Sequence, residues 1–252
     1  MEIDQKNREL IEKIVEVNGE DLLYAGAWFL VAGTSITAAG ETKVFLFQSE
    51  EGLPAVAIGN AVEAVGNAIQ AIGREKLAAA KPYFPGRKIA TAGCWLQAGG
   101  NVANTVATNI EIEANEQEDE EAEDASYQLN ALGSGVQAVG AAFESYGSAI
   151  EPLFVGQGLE VSGNALISLG SALDAIGNLF LLKDQDNQAG ILLFLGAWIE
   201  VIGSAMELAA VTITDSTARK ELFDALNEEK ENSDNEEGKG ALYKRYYSTY
   251  CL

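Results

Sequence analysis

The apolar and polar positions of this chain fall into a seven-residue unit whose fixed point is glycine. Gly59-Asn60-Ala61-Val62-Glu63-Ala64-Val65 is followed by Gly66-Asn67-Ala68-Ile69-Gln70-Ala71-Ile72, and Gly163-Asn164-Ala165-Leu166-Ile167-Ser168-Leu169 by Gly170-Ser171-Ala172-Leu173-Asp174-Ala175-Ile176. Gly140-Ala141-Ala142-Phe143-Glu144-Ser145-Tyr146 is a further copy. Seven residues are nearly two helical turns, so the unit predicts α-helices with a line of glycine along one side. With glycine as a, the aliphatics are d and g, the acid or amide is e, and the Asn or Ser is b. Each helix thus has an apolar sector, a polar sector and small flanks.

Twenty of the 26 glycines form such ladders: Gly19 to Gly40, Gly52 to Gly73, Gly86 to Gly100, Gly133 to Gly147, Gly156 to Gly177, and Gly196 with Gly203. A glycine in a helix interior costs about 1 kcal/mol against alanine. A chain that repeats it must recover that cost through close backbone approach. The expected helix-packing positions are Gly26, Gly33, Gly59, Gly66, Gly73, Gly93, Gly100, Gly140, Gly147, Gly163, Gly170, Gly177, Gly196 and Gly203. A second helix type has tryptophan two residues after glycine, at Trp28, Trp95 and Trp198. These segments are apolar over more of their circumference, and the three tryptophans are expected to anchor the core.

The predicted spans are 22–40, 53–77, 88–110, 129–151, 157–182 and 189–213. Pro54 suits a first helical turn, Lys81 to Gly86 is a loop, Pro152 closes the fourth helix, and Lys183 to Gln188 separates the last two. The expected fold is all-α, six main helices in a tight antiparallel repeat bundle of two three-helix halves, with short terminal helices. Residues 1–21 form an amphipathic segment, 22–110 one half, 111–128 a solvated acidic hinge, and 129–213 the other half. Residues 214–252 form a C-terminal helix, capped by Asp215, and a tail expected to be disordered from Asn227 to Gly240 before a tyrosine-rich end.

A net charge of -22 argues against nucleic acid as a partner. The local exception, Arg74, Lys76, Lys81, Arg87 and Lys88 with Tyr83 and Phe84, reads as a helix-end cluster complementing C-terminal dipoles. The chain has no histidine, no phosphate loop, no nucleotide fingerprint and no nucleophile elbow, so no catalytic, cofactor or metal site is expected. Cys94 and Cys251 are too few for a disulfide framework, and Cys94 reads as a small core residue. Met1 to Asp21 is polar and acidic, unlike a cleavable secretory signal. Glu63, Glu144, Glu151, Asp174, Glu200 and Glu207 are carboxylates in otherwise apolar helices, expected to wet a helix face, with a carboxylate-lined interior as the alternative.

Water and membrane then compete as the surrounding medium. Helices near 20 residues with regularly spaced small residues suit a bilayer. If all six crossed, fourteen of the sixteen basic residues would lie on one side, with Lys43 and Lys183 on the other. Against this, one carboxylate near the bilayer centre costs on the order of 3 kcal/mol, and a mean hydropathy of +0.03 is low for six spans. With b and e outward and d and g inward, water fits without that cost. The alternation of Gly-Ala-Trp or Gly-Cys-Trp segments with Gly-(Asn/Ser)-Ala-aliphatic heptads over roughly 22–213 resembles a repetitive protein family of bacilli and relatives. That resemblance implies no activity or site residues. The sequence expectation is therefore a non-catalytic, structural or self-associating helical protein, cytoplasmic or peripheral to the membrane, whose partner is another copy of itself. A glycine-packed integral membrane protein is the alternative, and a carrier of an apolar ligand the third reading.

Overall fold

A computed structural model describes residues 2–80 and 84–234, with side chains described for 8–80 and 84–227. Six helices account for nearly all of it: α1 Glu2–Phe47, α2 Leu53–Ala80, α3 Pro85–Gln117, α4 Glu120–Ala149, α5 Gln157–Leu181 and α6 Asp186–Asp234. No strand occurs among the described residues. Lys81 to Tyr83 of the predicted loop, and the tail beyond Asp234, lie outside the described residues. The terminal helices are not separate. The N-terminal segment is the first part of α1, and α6 runs through Asp215 without a break.

The acidic stretch is not a hinge. Glu111 to Glu116 continue α3, Glu118 takes a left-handed conformation at its end, and Asp119 caps α4 by accepting a hydrogen bond from the Ala122 amide at 3.1 Å. Glu120, Glu121 and Glu123 then occupy the first turn of α4, where the helix dipole favours negative charge. The run of carboxylates therefore builds a tight turn.

Each helix packs on its chain neighbours, and α6 closes back on α1, so the six form one antiparallel ring, not two halves. Within each hairpin the glycine ladders face each other. Gly26 opposes Gly66 and Gly33 opposes Gly59 between α1 and α2; Gly93 opposes Gly140 and Gly100 opposes Gly133 between α3 and α4; Gly163 opposes Gly203 and Gly170 opposes Gly196 between α5 and α6. Gly73 faces Gly19, Gly147 faces Gly86, and Gly177 faces Ala189. Fully buried Ala107, Ser126, Ala189 and Ala210 continue the ladders where glycine stops. Each ladder then covers 22 residues: 19–40, 52–73, 86–107, 126–147, 156–177 and 189–210. At 1.5 Å per residue that is about 31 Å.

The polarity of the ring is the reverse of the water-soluble expectation. Positions b and e point inward: Asn60, Glu63, Asn67, Gln70, Gln97, Asn101, Asn104, Gln137, Glu144, Asn164, Glu200 and Glu207 are all buried. Positions d and g point outward, with Ile58, Val65, Ile72, Phe143, Leu169, Ile176 and Ile202 exposed. The tryptophans do not anchor the core. Trp28 is 52 %, Trp95 45 % and Trp198 44 % exposed. The heptad fixes which residues share a side but not which side faces the ring axis, because the glycine seam lies between the polar and apolar sectors. Within the ladder segments the exposed charged side chains among the described residues lie at one rim, Lys88 and the Asp21 that pairs with Arg219.

Beyond the ring, the same two chain segments revert to ordinary polarity. The first turns of α1 and the end of α6 run on together as a helix pair, burying Leu10, Val17, Leu222 and Leu226 with Ile14 and Ala218 against them. Arg219 joins Asp21 and Asp215 on the outside of that pair. By length and composition, four helices (α1, α2, α5 and α6) are long and apolar enough to cross a membrane.

Candidate functional site in the barrel interior

Because b and e from six helices converge, the ring encloses a polar interior. At one end it opens as a cavity of about 230 Å³ whose mouth is lined by Glu50, Glu111, Glu123, Asp186 and Tyr127 and whose floor includes Thr37, Asn104, Asp174 and Glu200. No basic residue is among its described lining. Glu111, four residues above the ladder of α3, is pushed up to about 8 by burial and then by the neighbouring carboxylates Glu41, Glu123 and Glu50. Tyr127 donates to Glu123 at the same rim.

At the floor lies a first carboxylate group. Glu63 accepts from the Thr37 hydroxyl at 2.8 Å, and Glu200 accepts from Ser171. Glu63 is within electrostatic reach of Glu200, and Asp174 of Glu200, Glu41 and Glu63. From α3 and α4 this level receives amides and hydroxyls: Asn104 donates to Ser134 at 3.2 Å and to the Gln137 side-chain oxygen at 3.4 Å.

A second group closes the far end. Arg74 on α2 reaches across the ring to Glu144 on α4 and Glu160 on α5, each at 3.0 Å. Gln97 donates to the other Glu144 oxygen, Ser148 donates to Glu160 at 2.6 Å, and Gln70 donates to Glu207 on α6 at 2.8 Å. Glu20 and Cys94 lie within electrostatic reach of the same guanidinium. At the rim, Arg87 bonds the Leu77 carbonyl at 2.8 Å and pairs with Glu151 at 3.4 Å, the helix-end role expected of the basic loop. Arg74, assigned by sequence to that loop, is buried in the interior instead.

Several interior groups have no protein partner. Both amide atoms of Asn67 and Asn101, the side-chain oxygens of Gln70 and Asn164, one oxygen each of Glu207 and Asp174, and Arg74 Nε are buried and unpaired. Buried polar atoms of this kind are normally satisfied by internal water. No group of three or more acidic or thiol side chains is placed to hold a metal ion, among the described residues.

Of the carboxylates read from sequence as wetting a helix face, Glu63, Glu144, Asp174, Glu200 and Glu207 all converge on this interior, and Glu151 lies at its rim. Sequence reasoning missed Glu20, Arg74 and Glu160, and also the amides that accompany them. The signal for Glu160 was present, since it falls at position e, four residues after Gly156.

These features define a class: a glycine-seamed, six-helix α-barrel, apolar outside and polar within. The chain belongs to a family of unknown function, DUF6944, matched over residues 21–208. The match covers nearly all of the ladder region, but it supplies neither a bacillar source nor a glycine-heptad definition of the family. No curated protein and no solved structure matches the chain.

Proposed function

We propose that this is an integral membrane protein, a non-catalytic helical barrel whose interior is a cation-attracting passage closed at one end. One observation carries the reading: polarity is inverted along the ladders and reverts in the helix pair beyond them. In water, exposing Ile58, Val65, Ile72, Trp95, Leu169 and Ile202 while burying six glutamates would be doubly unfavourable. In a bilayer the same arrangement puts apolar side chains in lipid and the carboxylates in a hydrated interior. The 22-residue ladders match a hydrocarbon core of about 30 Å, and the helix pair beyond them has the leucine core of a water-exposed element. The basic residues gather at the end where that pair emerges, which makes it the cytoplasmic side.

Glycine supports the same reading. Between lipid-embedded helices the hydrophobic effect supplies no attraction, so association depends on close van der Waals contact at small residues. The test is carbonate and detergent fractionation of the expressed full chain. Retention in carbonate-washed membranes and release only by detergent is the expected result. A water-soluble particle, whether a monomer or a large assembly whose copies cover each other's apolar faces, overturns the membrane placement and restores the self-associating reading.

A further inference from the structure

Among the described residues, the ladder region buries six glutamates, Glu20, Glu63, Glu144, Glu160, Glu200 and Glu207, together with the partly covered Asp174, against the single guanidinium of Arg74. Arg74 is already bonded to Glu144 and Glu160. The charge of the others must be met by protons or by small cations, because an uncompensated carboxylate in a low-dielectric interior is too costly to persist. A metal ion would be held by several ligands converging on one point, and no three acidic or thiol side chains among the described residues do so. A hydrated ion would need an open bore, whereas at the level of Arg74 the axis is crossed by side chains bonded to one another. Protons need neither.

We propose that Glu63, Asp174 and Glu200 form a proton-binding site loaded from the open vestibule, and that Arg74, spanning the ring to Glu144 and Glu160, is the barrier between this site and the basic face. This rests on the membrane placement proposed above. The proton arrives on vestibule water as hydronium, leaves water behind, and binds a carboxylate oxygen; release reverses the step. The groups facing the site are Glu41 from α1, Glu63 from α2, Asp174 from α5 and Glu200 from α6, with the uncharged Asn104 of α3 and Gln137 of α4. Toward the basic face, Asn67 lies between Glu63 and Gln70 on α2, Asn101 between Gln97 and Asn104 on α3, and Asn164 between Glu160 and Asp174 on α5. Their unpaired amide atoms, with the free oxygens of Gln70 and Glu207, call for internal water between the two carboxylate groups. That water is a bridge for protons which stops at the fixed positive charge of Arg74.

The experiment uses the full chain in liposomes loaded with a pH-sensitive dye, under a potential imposed by potassium and valinomycin. Wild type and Arg74→Lys should hold the proton gradient. Arg74→Gln should leak protons several-fold faster, and adding Glu200→Gln should slow that leak again, while sodium flux stays at background in every variant. Arg74→Gln that co-floats with liposomes yet stays tight, a leak indifferent to Glu200→Gln, or sodium passing alongside protons would each overturn the proposal. A second readout needs no Arg74 variant. Infrared difference spectra of wild type across a pH step should show a carboxylic C=O band that disappears in Glu63→Gln/Glu200→Gln, and an unchanged band refutes the site. Failure of wild type to co-float with liposomes defeats the membrane placement itself, which separates that failure from failure of the proton site.

Discussion

Gly93 and Gly99 lie six residues apart on α3, and they isolate what the glycine ladder does. A methyl group added at Gly93 would sit 2.5 Å from the Gly140 carbonyl oxygen, 2.7 Å from Glu144 Cγ and 2.9 Å from the Glu144 amide nitrogen. Ordinary carbon-oxygen contacts are about 3.3 Å or more, and the nearest obstruction is backbone, so α3 and α4 must separate. A methyl at Gly99 would meet nothing within 4 Å. Both substitutions gain the same helix propensity, about 1 kcal/mol, whereas Gly93→Ala alone suffers overpacking of roughly 1–3 kcal/mol. Gly99→Ala should therefore be more stable than wild type, and Gly93→Ala should fall below Gly99→Ala by the overpacking cost, at least about a five-fold difference in the folded-to-unfolded ratio. Unfolding in mixed micelles, followed by far-ultraviolet circular dichroism against increasing SDS, measures both. Equal midpoints for the two variants would refute the seam as the basis of packing.

The tryptophans should be quenched by brominated acyl chains and spared by acrylamide, since Trp28, Trp95 and Trp198 lie on the outer face within the ladders; efficient acrylamide quenching would contradict their placement in lipid. Leu222→Asp removes a leucine buried against Leu10 and Val17, at about 2–3 kcal/mol of lost burial, so limited proteolysis should cut the projecting helix pair sooner while the barrel fragment survives, and loss of the whole barrel would show that the two are one cooperative unit. Glu111 binds its proton more tightly in the folded barrel than an ordinary carboxyl does; its contribution is therefore intact below the usual carboxylate range and is lost as pH rises through about 8. The micellar unfolding midpoint should fall between pH 6 and pH 9, less so in Glu111→Gln, and a wild-type profile flat over that range would exclude the effect.

The heptad made the six helices, their antiparallel order and the glycine seam legible, because each follows from local spacing. What it left open was rotation. The unit Gly59 to Val65 places Glu63 and Val65 on different sides of the same seam, and either side can face the axis. Only closure of α6 onto α1 decides it, and that is a contact between residues such as Thr34 and Ser204, 170 positions apart. The acidic turn was misread for a related reason. A run of like charge signals solvent, which is correct for Glu118 to Glu121, but it does not say whether the backbone there is loose or is a capped pair of helix ends. Arg74 was hidden by its neighbours: Lys76, Lys81, Arg87 and Lys88 make it look like one of a surface cluster, and only its opposition to Glu144 and Glu160 sets it apart.

The seam and the closed interior have a common geometric cause. In a regular ring of six, the distance from each helix axis to the centre equals the spacing between neighbours, and ordinary helix packing sets that at about 8–10 Å. At the upper end of that range the centre is an open bore that no side chain spans. Glycine seams in three of the six interfaces draw the ring inward. Arg74 on α2 and Glu160 on α5 belong to opposite helices, yet they meet at 3.0 Å. Gln70 on α2 and Glu207 on α6 meet across one intervening helix at 2.8 Å. Such contacts are available only to a contracted ring. Widening one seam should then do more than lower stability: Gly93→Ala pushes directly on Glu144, the residue that holds Arg74 from α4. That variant, if it reconstitutes, should leak protons as Arg74→Gln does, although it changes no polar residue. A tight Gly93→Ala vesicle beside a leaky Arg74→Gln one would mean that the closure does not depend on the contraction of the ring.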